Sequence, residues 1–142
     1  MRARALAAGY RSGFEERLAK ESADKGHKVQ FEAFKIEYKV PAKVALYTPD
    51  FPLENDVIIE SKGRFTSADR QKHKHIKATH PDLDIRFVFA NPKTKLSKRS
   101  PTTYADWCDK HGFLYAAKSI PDAWFAESPC PKRSAALAKA KR

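Results

Sequence analysis

Val57-Ile58-Ile59-Glu60-Ser61-Lys62 is the stretch on which the fold turns. Three successive β-branched residues favour extended backbone, and their apolar character marks them as core. Side chains alternate along a strand, so Glu60 and Lys62 share one face while Ile59 and Ser61 take the other. Just upstream, Val44 to Phe51 reads as a second strand, interrupted by Pro49, and contains Tyr47-Thr48-Pro49-Asp50-Phe51. Glu54-Asn55-Asp56 supplies the turn that folds one strand back on the other. The resulting hairpin brings Asp50 alongside Glu60.

Working outward, Ser12-Gly13-Phe14-Glu15 has the pattern of a capping box, with Ser12 as N-cap and Glu15 at N3. The helix it opens is predicted over Gly13 to about Lys25, burying Phe14, Leu18 and Ala19 and stopping at Gly26. In the run Lys28 to Val40, Val29 and Phe31 alternate in one phase and Phe34, Ile36, Tyr38 and Val40 in the other. That flip predicts a bulge or two separate strands. Ser67 to Thr79 reads as a second helix and Ile85 to Phe89 as a buried strand. A basic loop, Asn91 to Ser100, precedes a helix from about Thr103 to Lys110 that ends at Gly112. Phe113 to Ala116 reads as a short strand, and Pro121 opens a helical turn around Trp124. Trp107 and Trp124 are assigned to core or dimer packing. The order predicts one α/β domain, a mixed central sheet flanked by helices. Residues 1–10 read as a mobile basic N-terminus, 11–127 as the folded domain, and 128–142 as a basic flexible tail.

The chain has 142 residues, 42% hydrophobic and 32% charged, with a formal net charge of +11. Five of those positive charges lie in residues 128–142 and two more are Arg2 and Arg4, which leaves +4 for residues 11–127. A folded part that stays basic points to a polyanionic partner, nucleic acid rather than membrane, since no segment pairs a basic face with a broad apolar one. No stretch approaches the ~20 apolar residues of a membrane span, and the apolar run Ala5 to Ala8 is too short for a secretion signal. A cytoplasmic protein is expected. Cys108 and Cys130 lack CxxC or Cys/His spacing, so they read as plain thiols.

Two carboxylates converging on one hairpin repel each other unless a cation lies between them, and hard oxygen donors favour Mg²⁺ or Mn²⁺. Such a site suits phosphodiester hydrolysis. Asp50 and Glu60 would hold the metal, with the backbone carbonyl of Ser61 as a further ligand. Lys62 would orient water or offset charge on the phosphoryl oxygens. From spacing alone an ordinary reading stands beside this one: a Pro-Asp turn and a cross-strand salt bridge. Glu15 likewise reads first as a cap. In the helix Asp69-Arg70-Gln71-Lys72-His73, the side chains of Arg70, Lys72 and His73 are candidates to meet phosphates. Lys93 and Lys95, with Lys98 and Arg99, form a basic loop suited to backbone contacts. Nothing predicts base readout, so recognition by shape is expected.

An ordered series of blocks runs from about Arg11 to Trp124. It comprises Arg11-Ser12-Gly13 with Glu15, Tyr47 to Phe51, Glu60-Ser61-Lys62-Gly63, Asp69-Arg70 with Lys72-His73, and His80-Pro81 with Leu83 to Arg86. Lys93 to Leu96, Ser100-Pro101-Thr102, Lys110-His111-Gly112 and Ile120-Pro121 complete it. Together they resemble the phage endonuclease I family, junction-resolving enzymes among the PD-(D/E)xK nucleases. The resemblance implies a restriction-endonuclease-like core in a segment-swapped homodimer. It also implies metal-dependent cleavage of four-way (Holliday) and other branched DNA, leaving 5′-phosphates, with no small-molecule cofactor. It assigns catalysis to Asp50, Glu60 and Lys62 and makes Glu15 an additional catalytic and metal-binding glutamate contributed by the partner chain. The DNA-contacting set it suggests is Arg11, Arg64, Arg70, Lys72, His73, Lys93 and Lys95. Ser61 stands where threonine is familiar in the family, and its side chain is expected to face away from the metal. A phage-encoded enzyme of this kind would work in the host cytoplasm. Two other readings remain: a DNA-binding architectural protein that does not cut, and a PD-(D/E)xK nuclease acting on simple duplex or single-stranded DNA.

Overall fold

The computed structural model describes residues 13–40 and 43–142. Helix α1 spans Gly13–Asp24 and buries Glu15, Leu18, Ala19 and Ser22. Gly26, at φ +79, supplies the left-handed residue that turns the chain away after it. Ser12, the expected cap, lies outside the described residues, as do Arg11 and the N-terminal segment 1–10.

The run after α1 is neither the bulged strand nor the two strands expected for it. Only Ile36–Val40 is a strand, β1, while residues 27–35 are irregular and Glu32 adopts a positive φ of 47. The phase flip is nonetheless physical. Val29 and Phe31 pack on one apolar cluster with Phe51, Val57 and Ile59, whereas Phe34, Ile36 and Tyr38 belong to a second one around Phe87 and Trp107. The chain crosses from one side of the sheet to the other between them, tied down by Glu32 N–H donating to the Asp50 carbonyl at 3.0 Å.

The predicted strand Val44 to Phe51 splits in two. Lys43–Tyr47 is β2, which pairs antiparallel with β1 in a separate two-stranded sheet, Ile36 opposite Tyr47. Phe51–Pro52 is β3, antiparallel to β4, Ile58–Lys62, with Phe51 opposite Ile59. Pro49 cannot donate to a ladder, so the chain changes sheets at that point. The hairpin across residues 53–57 forms as expected and is closed by Leu53 N–H to the Val57 carbonyl at 2.8 Å.

From β4 the chain runs through helix α2, Ser67–Thr79, into β5, Ile85–Phe89, parallel to β4. Helix α3, Tyr104–His111 with Gly112 as its left-handed cap, leads to β6, Tyr115–Ala117, parallel to β5. The second sheet has the order β3-β4-β5-β6, mixed and four-stranded. Every residue of β5 is buried, as a strand covered on both faces must be. Helix α4, Asp122–Ala126, follows. The protein is thus mixed α/β, its central sheet flanked by helices. Among the described residues no helix is long and apolar enough to cross a membrane.

The tail corrects the sequence reading. Residues Pro131–Ala140 form helix α5 and are not a flexible extension: Leu137 and Ala140 are 2% and 6% exposed in the larger core cluster. Beyond it, Arg142 N–H donates to the Lys35 carbonyl at 3.1 Å. The basic residues hid a helix whose apolar contribution is one leucine and several alanines, too thin a stripe to recognise by periodicity. Arg133 anchors it, donating to Asp84 Oδ2 at 3.1 Å and to the Asn55 carbonyl at 3.1 Å.

Candidate active site

Asp50 and Glu60 meet where β3 and β4 adjoin, and both are 2% exposed. Asp50 sits in the bend between β2 and β3, immediately before Phe51 pairs with Ile59. Its Oδ2 accepts from the Ser61 backbone N–H at 3.0 Å and from the Ser61 hydroxyl at 3.1 Å. The serine side chain therefore braces the Asp50 carboxylate, because Asp50 approaches the strand from the Ser61 side. Glu60 Oε1 accepts from the Tyr47 hydroxyl at 2.7 Å and from the Asp50 backbone N–H at 3.1 Å. Lys62 Nζ lies 3.8 Å from Glu60 Oε2 and 3.4 Å from Asp69 Oδ1. The two carboxylates and the ammonium expected from β-strand spacing do converge.

The electrostatics of the pair are those of two acids sharing a dry place. Burial, and then the charge of Glu60, push the Asp50 carboxyl up to about 8, and Glu15 adds to the rise. Burial alone would raise Glu60 too, but His73, Lys62 and the Tyr47 hydroxyl outweigh it and hold Glu60 near 2. Burial and the neighbouring acids push the Tyr47 hydroxyl well above its usual range. Lys62 goes up as well: burial opposes its charge, but Glu60, Asp69 and Asp50 favour it more. The two acids are thus driven apart, Glu60 toward its charged form and Asp50 toward its protonated one, while Lys62 is kept charged.

Glu15, 7% exposed on α1, lies within electrostatic reach of Asp50 of its own chain. Among the described residues no group of three or more His, Cys, Asp or Glu side chains stands at metal-holding spacing. The donor chemistry still fits a hard divalent cation. Mg²⁺ typically keeps several waters and uses one or two carboxylates, and Asp50, pushed up by burial and then by the charge of Glu60, is an acid whose ionised form a cation would favour.

The basic candidates divide sharply. Arg64, Lys93 and Lys95 are exposed. β4 and β5 are parallel with Lys62 opposite Phe89, and Ala90 N–H donates to the Lys62 carbonyl at 3.2 Å. Arg64 and the start of the 91–100 loop therefore leave the sheet at the same end as the site. Lys72 is half-buried with its ammonium 5.2 Å from the Tyr47 ring centroid. Arg70 is half-buried and donates to the Phe65 carbonyl at 2.6 Å. His73 is a correction: it is wholly buried, and a side chain sealed beneath the sheet cannot touch a phosphate.

Sequence reasoning missed Tyr47, the Ser61 hydroxyl and Asp69 as partners of the acids and lysine. It also missed Arg86, 3% exposed on the central strand and bonded to Asp84 and Glu127. For Asp69 and His73 a signal was available. They stand four apart in a helix that must lay one face on the sheet.

A buried acid pair with a lysine at the end of a mixed sheet is an arrangement whose chemistry suits hydrolysis of an anionic ester. The phage endonuclease I family model matches residues 1–142, and the chain belongs to that family, a family of nucleases. It is 44% identical over 133 residues to Endonuclease I of Escherichia phage T7, covering 94% of this chain and 87% of that relative. It is 46% identical over 132 residues to Endodeoxyribonuclease 1 of Enterobacteria phage T3, covering 93% and 85%.

Proposed function

We propose that the chain is a metal-dependent endonuclease that resolves four-way and other branched DNA junctions, acting as a homodimer in the cytoplasm of a host cell. The observation that carries this reading is the buried Asp50–Glu60 pair beside Lys62 in a chain of net charge +11. DNA as substrate is supported by the name of the T3 relative and by the basic residues Arg64, Lys93 and Lys95 at the same sheet end. Branched DNA is supported by the ordered blocks resembling junction-resolving enzymes and by the lack of any base-reading motif.

Asp50, Glu60, Glu15 and the Ser61 backbone carbonyl would hold the cation. When bound, Mg²⁺ or Mn²⁺ would polarise the scissile phosphate and acidify a water. Ser61 and Tyr47 keep the two carboxylates aimed, at 3.0–3.1 Å and 2.7 Å. Lys62, held charged by its acidic neighbours, orients the attacking water or stabilises charge on the phosphoryl oxygens. Arg64, Arg70, Lys72, Lys93 and Lys95 are the proposed contacts to the DNA backbone, with one Arg70 guanidinium nitrogen bonded to the Phe65 carbonyl. Arg11, outside the described residues, keeps its proposed role in DNA contact.

A pH dependence follows from Asp50. A carboxyl raised to about 8 must lose its proton before it can hold a cation. At limiting Mg²⁺ the single-turnover rate should rise close to tenfold per unit from about pH 6 to about pH 7 and level off above about 8. The same raised value means that Asp50 favours the metal-free fold fully below its ordinary 3.8, and that this contribution fades as pH climbs through 8. Added Mg²⁺ should therefore raise Tm more at the alkaline end. A rate independent of pH across that window contradicts the assignment.

The deciding experiment incubates labelled four-way junction, duplex, flap and single-stranded DNA with the protein, with Mg²⁺ or with EDTA. Paired nicks in the junction, requiring Mg²⁺, are expected. Binding without nicking would favour the architectural reading, and preferential cutting of duplex or single strands would favour the simpler nuclease. Mixed dimers of Glu15→Ala and Lys62→Ala chains test segment exchange in the same assay. One site is restored if α1 comes from the partner, and none if Glu15 and Lys62 share a chain. Exchange would preserve the packing of α1 on β3 and β4 and change only which chain donates it.

A further inference from the structure

We propose that Asp69 and His73, one turn apart on the inward face of α2, are the positioning residues of the reaction. Asp69 sets Lys62 and His73 sets Glu60. The inference rests on Glu60 and Lys62 being reacting groups. Asp69 is itself rigidly held. Its Oδ2 accepts from the Thr66 N–H at 3.1 Å, its own N–H donates to Thr66 Oγ1 at 3.1 Å, and this capping box fixes the first turn of α2. Its other oxygen is left facing Lys62 Nζ at 3.4 Å. A lysine has four rotatable bonds, so an ammonium that must reach one phosphoryl oxygen gains from an anchor on a capped helix.

His73 is the stronger observation. Its side chain is wholly buried, walled by Tyr47, Phe87 and Phe113 at ring-centroid distances of 5.3, 4.8 and 6.3 Å. Neither ring nitrogen has a hydrogen-bond partner, a costly placement that a phenylalanine would avoid. Its Nε2 points at Glu60 Oε2 across 3.8 Å. The oxygen opposite, Oε1, is already held by Tyr47 and the Asp50 N–H. A small closure of the gap would complete a hydrogen bond and fix the second oxygen, as outer partners of a liganding carboxylate do.

Three variants and one spectrum decide it. His73→Phe keeps an aromatic volume without a ring N–H, His73→Gln keeps an N–H near the same point, and Asp69→Asn keeps an acceptor for the cap while losing its charge. Expected for His73→Phe is a single-turnover cleavage rate ~10- to 100-fold lower, with junction Kd in EDTA within about twofold. His73→Gln should recover most of the rate, and Asp69→Asn should lower the rate with the same unchanged Kd. In long-range ¹H–¹⁵N spectra of the metal-free protein, His73 should carry its proton on Nε2, with a resonance that moves in Glu60→Gln. A wild-type rate in His73→Phe overturns the proposal, as does an equal loss in Gln and Phe variants that tracks Tm. A ring protonated only on Nδ1 also overturns it, even if the Phe variant misfolds. If wild-type protein nicks no DNA at all, the nuclease reading falls while the spectrum still decides His73.

Discussion

Asp50→Asn and Glu60→Gln should each lower junction cleavage in Mg²⁺ by about 1,000-fold, equivalent to about 4 kcal/mol of transition-state stabilisation. Binding of the same junction in EDTA should be unchanged or tighter. The reason lies in the pair's geometry. Asp50 Oδ2 is held by Ser61 and Glu60 Oε1 by Tyr47 and the Asp50 N–H, so an amide can enter either position with little change of shape. It cannot supply the negative charge that a cation requires. Asp50 is pushed up chiefly by burial and then by Glu60, so Asp50→Asn should leave the metal-free fold at least as stable as wild type. Glu60→Gln gives up the favourable charge that His73, Lys62 and the Tyr47 hydroxyl hold on Glu60, and should be less stable. Loss of DNA binding in parallel with cleavage would instead mean that these residues support the fold, and undiminished cleavage by both variants in Mg²⁺ would sink the catalytic assignment.

Arg86→Ala should destabilise the fold by about 3 kcal/mol, lowering Tm by roughly 9 °C for a chain of this size. The guanidinium is 3% exposed and lies 5.3 Å from the Trp124 ring centroid. It bonds to Asp84 at 2.8 and 2.9 Å and to both carboxylate oxygens of Glu127. Arg133 reaches the same two acids from α5. Deleting the buried arginine leaves both carboxylates facing a gap in the sheet, with only Arg133 to answer them. Asp84 and Glu127 are partly solvated, which keeps the cost at the lower end for a broken buried pair. Since Arg86 sits opposite Ile59 on the neighbouring strand, next to Glu60, cleavage by the folded fraction should persist. Thermal unfolding followed by circular dichroism checks the first statement, and cleavage at low temperature checks the second. A Tm unchanged from wild type would show that the ionic cluster contributes nothing to the fold.

The sequence by itself determined the elements that have strong local periodicity or sharp stops. α1 stops at Asp24, just before Gly26, α2 covers Ser67–Thr79, α3 stops at His111 with Gly112 as its cap, and β4 and β5 fall where β-branched and aromatic runs put them. It also placed Glu60 and Lys62 on one face, because a strand permits nothing else, and set Asp50 on the hairpin beside them. Those signals are local, carried by dihedral preference and by period.

Only the tertiary structure decided how the face is completed. Whether Val44 to Phe51 is one strand or two depends on a competing partner, β1, which local preference cannot see. Whether Ser61 turns toward Asp50 depends on the side from which the bend at Pro49 delivers that residue. His73 read as one more phosphate contact beside Arg70 and Lys72 because neighbours in sequence are all a composition can show. Its burial depends on the sheet face against which α2 is laid, and that face contains Glu60. The tail was misread for the same reason: one leucine and a few alanines make a helix only when a core is already there to receive them.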